Sequence, residues 1–153
     1  NDLQLIQRLE DNLQLVETDM TILFRNLSNF TDAASGLKLI ENAFYDFENI
    51  SIEVKTNWNL WFEKYADRLQ QETVSSEERK EKMDAVNPKY VLRNYMSQMA
   101  IDEADKGNYT LIDELFQLLK TPYAEQLENE KWFEKRPEWA RNKVGCSMLS
   151  CSS

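Results

Sequence analysis

Apolar residues recur at intervals of three and four along most of this chain, and this spacing limits the fold more than any other feature of the sequence. Such intervals place side chains on one face of an α-helix. The first stretch of this kind contains Leu5, Ile6, Leu9, Leu13 and Val16. Only three glycines and three prolines occur in 153 residues, so residues that interrupt helices are scarce. The sequence therefore predicts an all-α fold of about six to seven helices.

The periodic pattern stops near Tyr123, and a polar stretch follows it. Residues 1–123 are therefore predicted to form a helical bundle region, and residues 124–153 an extended C-terminal arm with a terminal cysteine motif. Three aromatic residues in this arm, Trp132, Phe133 and Trp139, are expected to hold it on the surface, with one short helix between its ends.

The clearest helix signals surround Asn87 and Pro88, from which a central helix is predicted to start. Asn is a favourable N-cap, and Pro suits the first helical position because its missing N–H is not needed there. Gly107 is placed to end the helix in a left-handed conformation. The apolar stripe of this helix contains Leu92, Tyr95, Met96 and Met99. Arg93 and Asn94 lie off its centre, so Asn87, Pro88, Arg93 and Asn94 are predicted to be structural, the last two through hydrogen bonds to a neighbouring loop.

Residues with short polar side chains at the starts of other periodic stretches predict N-caps, because their oxygens accept hydrogen bonds from backbone N–H groups. Thr18 or Asp19 is predicted to cap the second helix, Ser35 the third and Thr110 the last. Ser75 begins a Ser-x-x-Glu pattern typical of a capping box.

A stretch from about Ile52 to Gln71 carries large aromatic residues at helical spacing. These are Trp58, Trp61, Phe62 and Tyr65. A face of this kind serves core packing far more often than ligand binding, so we predict a core helix. The charged run that follows, Glu77–Lys82, predicts a solvated helix face.

Composition excludes several classes of partner. The formal net charge is −9, and no basic patch of the kind needed for nucleic-acid binding is evident. No apolar run reaches the length of a membrane span, and no secretory signal is visible. The sequence therefore predicts a protein that binds neither nucleic acid nor membrane and is not secreted.

The inventory of catalytic residues is small. The chain contains no histidine, the commonest general base and metal ligand. Its glycines, Gly36, Gly107 and Gly145, are isolated, whereas a phosphate-binding loop needs several close together. Within this chain the sequence therefore predicts no catalytic residue, no cofactor-binding residue and no metal site.

Cys146 and Cys151 are the exception, because a pair of thiols near a chain end can exchange disulfides. Both are expected to be exposed and mobile, which favours thiol exchange over burial. A pair of incidental thiols is an equally good interpretation of composition alone.

Several stretches of the chain resemble the SelO (selenoprotein O, YdiU-type) family. The most specific is MDAVNPKYVLRNY, residues 83–95, which is similar to the family's M-x-x-x-N-P-x-x-x-L-R-N pattern. Thr18-Asp19 with Phe24–Ser28, the Trp58/Trp61/Tyr65 helix, and Arg136–Ala140 also resemble family motifs. The chain closes on Cys151-Ser152-Ser153, and the family carries cysteine or selenocysteine at the third position from the end. Cys146 departs from the Cys-x-x-Sec spacing of animal members, since four residues separate it from Cys151.

The resemblance implies a function for a longer protein. Family members are protein-kinase-like enzymes that bind ATP with magnesium and transfer AMP to Ser, Thr or Tyr hydroxyls of proteins. This chain would complete the C-lobe of that fold as a scaffold and carry a redox cysteine, Cys151, while the catalytic lobe upstream binds ATP and Mg. Its partners would be that lobe and protein substrates, in the bacterial cytoplasm or in a mitochondrion. The alternative is a free-standing, non-enzymatic helical interaction module.

Overall fold

The computed structural model describes residues 2–146, and their regular structure is helical, as the sequence predicts. The α-helices are α1 (Asp2–Leu15), α2 (Met20–Leu27), α3 (Ala33–Leu39), α4 (Ile52–Leu69), α5 (Ser76–Asp84), α6 (Asn94–Ala104) and α7 (Thr110–Leu118). Short 3-10 helices occupy Glu41–Ala43, Phe47–Asn49, Leu127–Trp132 and Glu138–Ala140. Across the described range no strand forms, and an isolated β-bridge joins Thr18 to Phe44. The all-α prediction is therefore confirmed.

Contacts between residues divide the chain into two compact units between Asn87 and Pro88. The first unit contains α1–α5, and the second contains α6 and α7 with the chain that follows them. The sequence places its boundary after residue 123. Beyond that point the described chain forms two 3-10 helices and no α-helix.

The core of the first unit is built on α4, whose aromatic residues Trp58, Trp61 and Phe62 are buried. Their rings contact one another, and the ring of Phe62 also stacks on Phe30 with centroids 5.7 Å apart. Gly36 lets α3 approach closely, because a Cβ at this position would lie 2.4 Å from the Phe62 ring. The predicted core-packing role of the aromatic helix is confirmed.

The core of the second unit combines α6, α7 and the chain after them. Its buried residues are Tyr90, Tyr95, Met96, Ala100, Leu115, Leu118, Trp132, Ala140 and Cys146. The residues from Trp132 onward belong to the predicted arm, so parts of that arm lie inside the core instead of on its surface. Trp132 also donates a hydrogen bond from Nε1 to Glu114 Oε1 at 3.0 Å, while Trp139 stays half-exposed.

Of the four N-caps predicted outside the central helix, two are confirmed and two are wrong. Asp19 and Ser75 each cap a helix by accepting a backbone N–H bond. Ser35 instead lies inside α3, because Asp32 accepts its N–H at 2.9 Å and a carboxylate is the stronger partner for a helix N-terminus. Thr110 is the first residue of α7, and its N–H bonds to Asn108 Oδ1 at 3.2 Å.

The central helix does not start at Pro88 as predicted, because α6 begins at Asn94. The N–H groups of Lys89 and Tyr90 both donate to the carbonyl of Pro122, at 2.9 and 3.1 Å, so long-range bonds hold this stretch out of the helix. Asn87 is correspondingly not its N-cap. Its N–H and its side-chain Nδ2 both donate to Met83 O, so Asn87 closes the end of α5.

The predicted end of the central helix is confirmed. Gly107 adopts a φ of 83°, in the left-handed region where glycine avoids a Cβ clash. Its N–H donates to Ala104 O, and the N–H of Asn108 donates to Glu103 O at 3.0 Å. This pair of bonds forms a Schellman motif, which satisfies carbonyls at the helix end.

Candidate functional site

Arg25 lies on α2 and is only 4% exposed, which is unusual for a charged residue. Its Nη1 donates to the backbone carbonyls of Asp84 and Asn87, at 3.1 and 3.0 Å, and its Nε lies 3.4 Å from Asp84 Oδ1. A planar guanidinium suits this geometry, because its donors point in fixed directions. Arg25 therefore ties α2 to the end of α5 within the first unit.

Further polar contacts surround Arg25. Ser28 Oγ donates to the backbone carbonyl of Arg25 at 2.8 Å, which fixes the end of α2. The ammonium of Lys80 lies 2.8 Å from Asp84 Oδ2 and 3.5 Å from Ser28 Oγ. We call Arg25, Ser28, Lys80, Asp84 and Asn87 the arginine network. It joins residues of two stretches that carry the family resemblance, so these stretches meet in space.

Lys89 forms the corresponding site of the second unit. Its side chain is buried, and its ammonium donates to Glu125 Oε2 at 2.6 Å and to Glu130 Oε1. The same ammonium lies over the ring of Phe133, 5.1 Å from its centroid. Burial opposes the charged form, but the hydrogen bonds to Glu125 and Glu130 outweigh it, so the pKa of Lys89 is raised above its usual value. Lys89 is therefore a charged, paired residue at neutral pH.

Neighbouring bonds fix the backbone around Lys89. Tyr90 is buried and donates from its hydroxyl to Gln126 O at 3.0 Å. Gln126 in turn donates from Nε2 to the carbonyls of Leu118 and Thr121, both at 3.0 Å. We call Lys89, Tyr90, Glu125, Gln126 and Glu130 the lysine site. It connects the start of the second unit to the chain that follows α7.

The remaining predicted structural residues, Arg93 and Asn94, open α6 and are buried. Arg93 occupies the N-cap position, where its backbone carbonyl accepts bonds from Met96 and Ser97 at 3.0 and 3.1 Å. Their predicted bonds to a neighbouring loop stay a prediction. Pro88 lies in the non-helical stretch between α5 and α6.

Cys146 is fully buried in the core of the second unit, so the expectation that it is exposed is wrong. The chain before it is held against α6, because Lys143 pairs with Asp102 at 2.6 Å. Gly145 then turns the backbone with a φ of 91°. A buried thiol of this kind acts as a small apolar side chain. Cys151 lies outside the described residues, so its redox role stays a prediction.

Sequence reasoning did not single out Lys89, its two glutamate partners or Asp84. Lys89 is separated from Glu125 by 36 residues and from Glu130 by 41, so no local pattern could reveal these pairs. Arg25 did give one sign, since it is a charged residue on a helix whose neighbours Ile22, Leu23 and Leu27 are apolar and buried.

Residues 2–146 contain neither a candidate metal site nor a membrane-spanning helix. No group of three or more His, Cys, Asp or Glu side chains in this range is arranged to hold a metal ion. Within the same range, no helix combines the length and apolar character needed to cross a membrane.

Comparison with known proteins gives the family. The model of the family described as "Protein adenylyltransferase SelO" matches residues 1–120. Proteins named protein nucleotidyltransferase YdiU are 57% identical to this chain in Flavobacterium johnsoniae, 45% in Tolumonas auensis and 42% in Aromatoleum aromaticum. Each alignment covers 99% of this chain but only 29–30% of the relative.

The match therefore covers nearly all of this chain and less than a third of the relatives' length. The match includes the arginine network, the lysine site and the residues Arg93 and Asn94 at the start of α6. It confirms the resemblance drawn from the motifs. The chain belongs to the SelO family of protein adenylyltransferases.

Proposed function

We propose that this chain is the C-terminal helical portion of an enzyme that transfers AMP from ATP to Ser, Thr or Tyr hydroxyls of proteins. The observation that carries the proposal is the match over 99% of this chain to relatives named as nucleotidyltransferases. The part of the enzyme that precedes this chain binds ATP and Mg. This chain itself binds neither. Its partners are that catalytic part and the protein substrates.

Within such an enzyme this chain acts as a scaffold. The use of its buried cations supports this role, because Arg25 and Lys89 are each committed to partners inside their own unit. A buried charge with satisfied partners fixes geometry and is not available to a substrate. The chain accordingly orders the elements on which the catalytic part rests.

The proposed redox residue is Cys151, the cysteine at the family's Cys/Sec position. Cys146 is a poor disulfide partner for it, because a fully buried thiol must first be exposed before it can react. We propose that Cys151 pairs with a cysteine of the catalytic part. Peptide mapping of the oxidised full-length protein without reductant tests this, and a Cys151–Cys146 bridge would contradict it.

The enzymatic proposal is tested with the full-length polypeptide that carries this chain. The protein is incubated with magnesium and with ATP labelled either at the α-phosphate or at the γ-phosphate, and protein-bound label is measured. AMP transfer retains the α-label and loses the γ-label. Retention of the γ-label would instead indicate a kinase, and absence of both would favour the alternative of a non-enzymatic interaction module.

The proposed location is the bacterial cytoplasm or a mitochondrion. Fractionation of cells that express the full-length protein, followed by detection of this chain, tests that location directly. Recovery in the culture medium would contradict it.

A further inference from the structure

Helix α7 has two apolar faces, and only one of them is buried. Leu115 and Leu118 lie in the core of the second unit. On another side Ile112 is 43% exposed and Phe116 is 59% exposed, with Tyr109 at 61% before the helix and Tyr123 at 46% after it. Ile112 and Phe116 are four residues apart and therefore share a side of α7, and Tyr109 and Tyr123 flank its two ends. We call these four residues the α7 stripe.

The α7 stripe has the composition of a permanent interface. Three of its four residues are aromatic, and aromatic residues supply large contact area with few rotatable bonds. The ammonium of Lys120 lies 4.7 Å from the centroid of the Phe116 ring, so this charge packs on the stripe. A surface helix normally shows polar residues on its outer side.

The size of the stripe limits what can cover it. Four large side chains that are about half exposed present on the order of 400 Å². A stable complex between separate proteins buries about 800 Å² on each partner. A segment of the same polypeptide needs less area, because its covalent link gives it an effective concentration in the millimolar range.

The relatives provide such a segment, since about 70% of their length lies outside the match to this chain. A second copy is less suitable, because it would bring together two chains that each carry a net charge of −9. We propose that the α7 stripe is the surface on which the remaining part of the same enzyme polypeptide docks, through an apolar and uncharged segment. The proposal rests on the proposed function to the extent that both treat this chain as part of a longer enzyme.

Photo-crosslinking in the full-length polypeptide tests this directly. The photoreactive residue p-benzoylphenylalanine replaces Phe116, and a matched protein carries it instead at Gln117, an exposed neighbour outside the stripe. A mixture of isotopically light and heavy protein is irradiated, and crosslinked peptides are identified by mass spectrometry. The expected product joins position 116 to a peptide from outside this chain, with both halves light or both heavy, and the probe at 117 does not form it.

Products that pair light with heavy peptides would overturn the proposal in favour of a second copy. The absence of a crosslink, a crosslink only to a different protein, or equal products from positions 116 and 117 would also overturn it. Ile112→Asp added to the Phe116 probe protein should reduce the expected product about tenfold, because it places an unpaired carboxylate in the interface. Gln117→Asp adds the same charge outside the stripe and should leave the yield unchanged.

This readout does not depend on enzymatic activity. If AMP transfer is absent and the crosslink forms, the proposed function fails while the docking surface stands. If AMP transfer occurs and the crosslink does not form, the docking surface fails alone.

Discussion

The two buried cations of this protein are held by different chemistry. Arg25, in the first unit, donates chiefly to two backbone carbonyls, whose hydrogen-bonding capacity is the same at every pH. Lys89, in the second unit, donates to two half-exposed glutamates and lies over aromatic rings. The interactions of Arg25 therefore depend on the directions of its donors, whereas those of Lys89 depend on its charge. The two sites should therefore respond differently to substitution and to pH.

The largest effect is expected for Arg25→Leu. It leaves two carbonyls without their donor and removes an ionic partner of Asp84, so the free energy of unfolding should fall by about 3 kcal/mol. Urea denaturation followed by circular dichroism measures the change. Arg8→Leu, at an exposed position on α1, is the matched control. Equal losses in the two variants would show that the arginine network contributes little.

A smaller loss, about 1.5 kcal/mol, is expected for Arg25→Lys. The ammonium keeps the charge beside Asp84, but it cannot reproduce the fixed directions in which the guanidinium donates to both carbonyls. The same denaturation experiment applies. A variant as stable as the parent would mean that charge, and not geometry, is what the first unit requires.

Lys89→Met should cost about 1 kcal/mol, because Glu125 and Glu130 are half exposed and regain water when the ammonium is lost. Methionine retains most of the apolar packing of the lysine stem. Thermal unfolding of Lys89→Met, Glu130→Gln and the double variant gives the coupling between the two residues. If the losses of the two single variants add strictly in the double variant, the pair of Lys89 and Glu130 does not stabilise the fold.

Alkaline pH should weaken the second unit through Lys89. Its folded-state pKa is raised above the usual 10.5, so the folded protein holds this proton more tightly than the unfolded chain does. The stabilisation is complete below pH 10.5 and is lost as the pH rises through the folded-state value. Tyr90 contributes in the same direction, since burial raises its pKa. Unfolding free energies measured against pH should therefore fall less steeply for Lys89→Met than for the parent, and parallel curves would contradict this.

The smallest effect is expected at acid pH, from Glu114. Hydrogen bonds from Lys131 and Trp132 lower its pKa below the usual 4.5, although burial acts in the opposite direction. Its stabilisation is present above pH 4.5 and is lost as the pH falls through the folded-state value. Tryptophan fluorescence of Glu114→Gln during acid titration measures this. The parent should show a fluorescence change as Glu114 becomes protonated, and the variant should lack it. A variant that titrates like the parent would contradict the role of Glu114.

The sequence predicts the local features of this fold well and the long-range ones poorly. Asp19, Ser75 and Gly107 act within a few residues of their own positions, so their capping roles follow from local chemistry. Asn87 and Pro88 carry the same kind of signal, but the carbonyl of Pro122 competes for the following N–H groups. A partner more than thirty residues away cannot be read from a local pattern, and tertiary contacts override helix propensity there.

The candidate site shows the same difference between local features, which the sequence predicts, and long-range contacts, which it does not. The family motifs identify the stretches that contain Arg25 and Asn87, but they do not show that the two residues bond to each other. Cys146 shows the opposite error, because its position near the chain end indicated an exposed thiol, whereas the side chain is buried in the core after the turn at Gly145.

The bonds of Arg25 also bear on the order of folding. They join positions 59 and 62 residues apart, so they close a large loop that includes α3, α4 and α5. The bonds by which Asn87 closes α5 span only four residues and can form as soon as that helix does. Closing a long loop costs more conformational entropy than closing a short one, so we expect the bonds of Arg25 to form after those of Asn87 and after the folding barrier. The bonds of the guanidinium are therefore expected to slow unfolding. Their loss should raise the unfolding rate and leave the folding rate nearly unchanged.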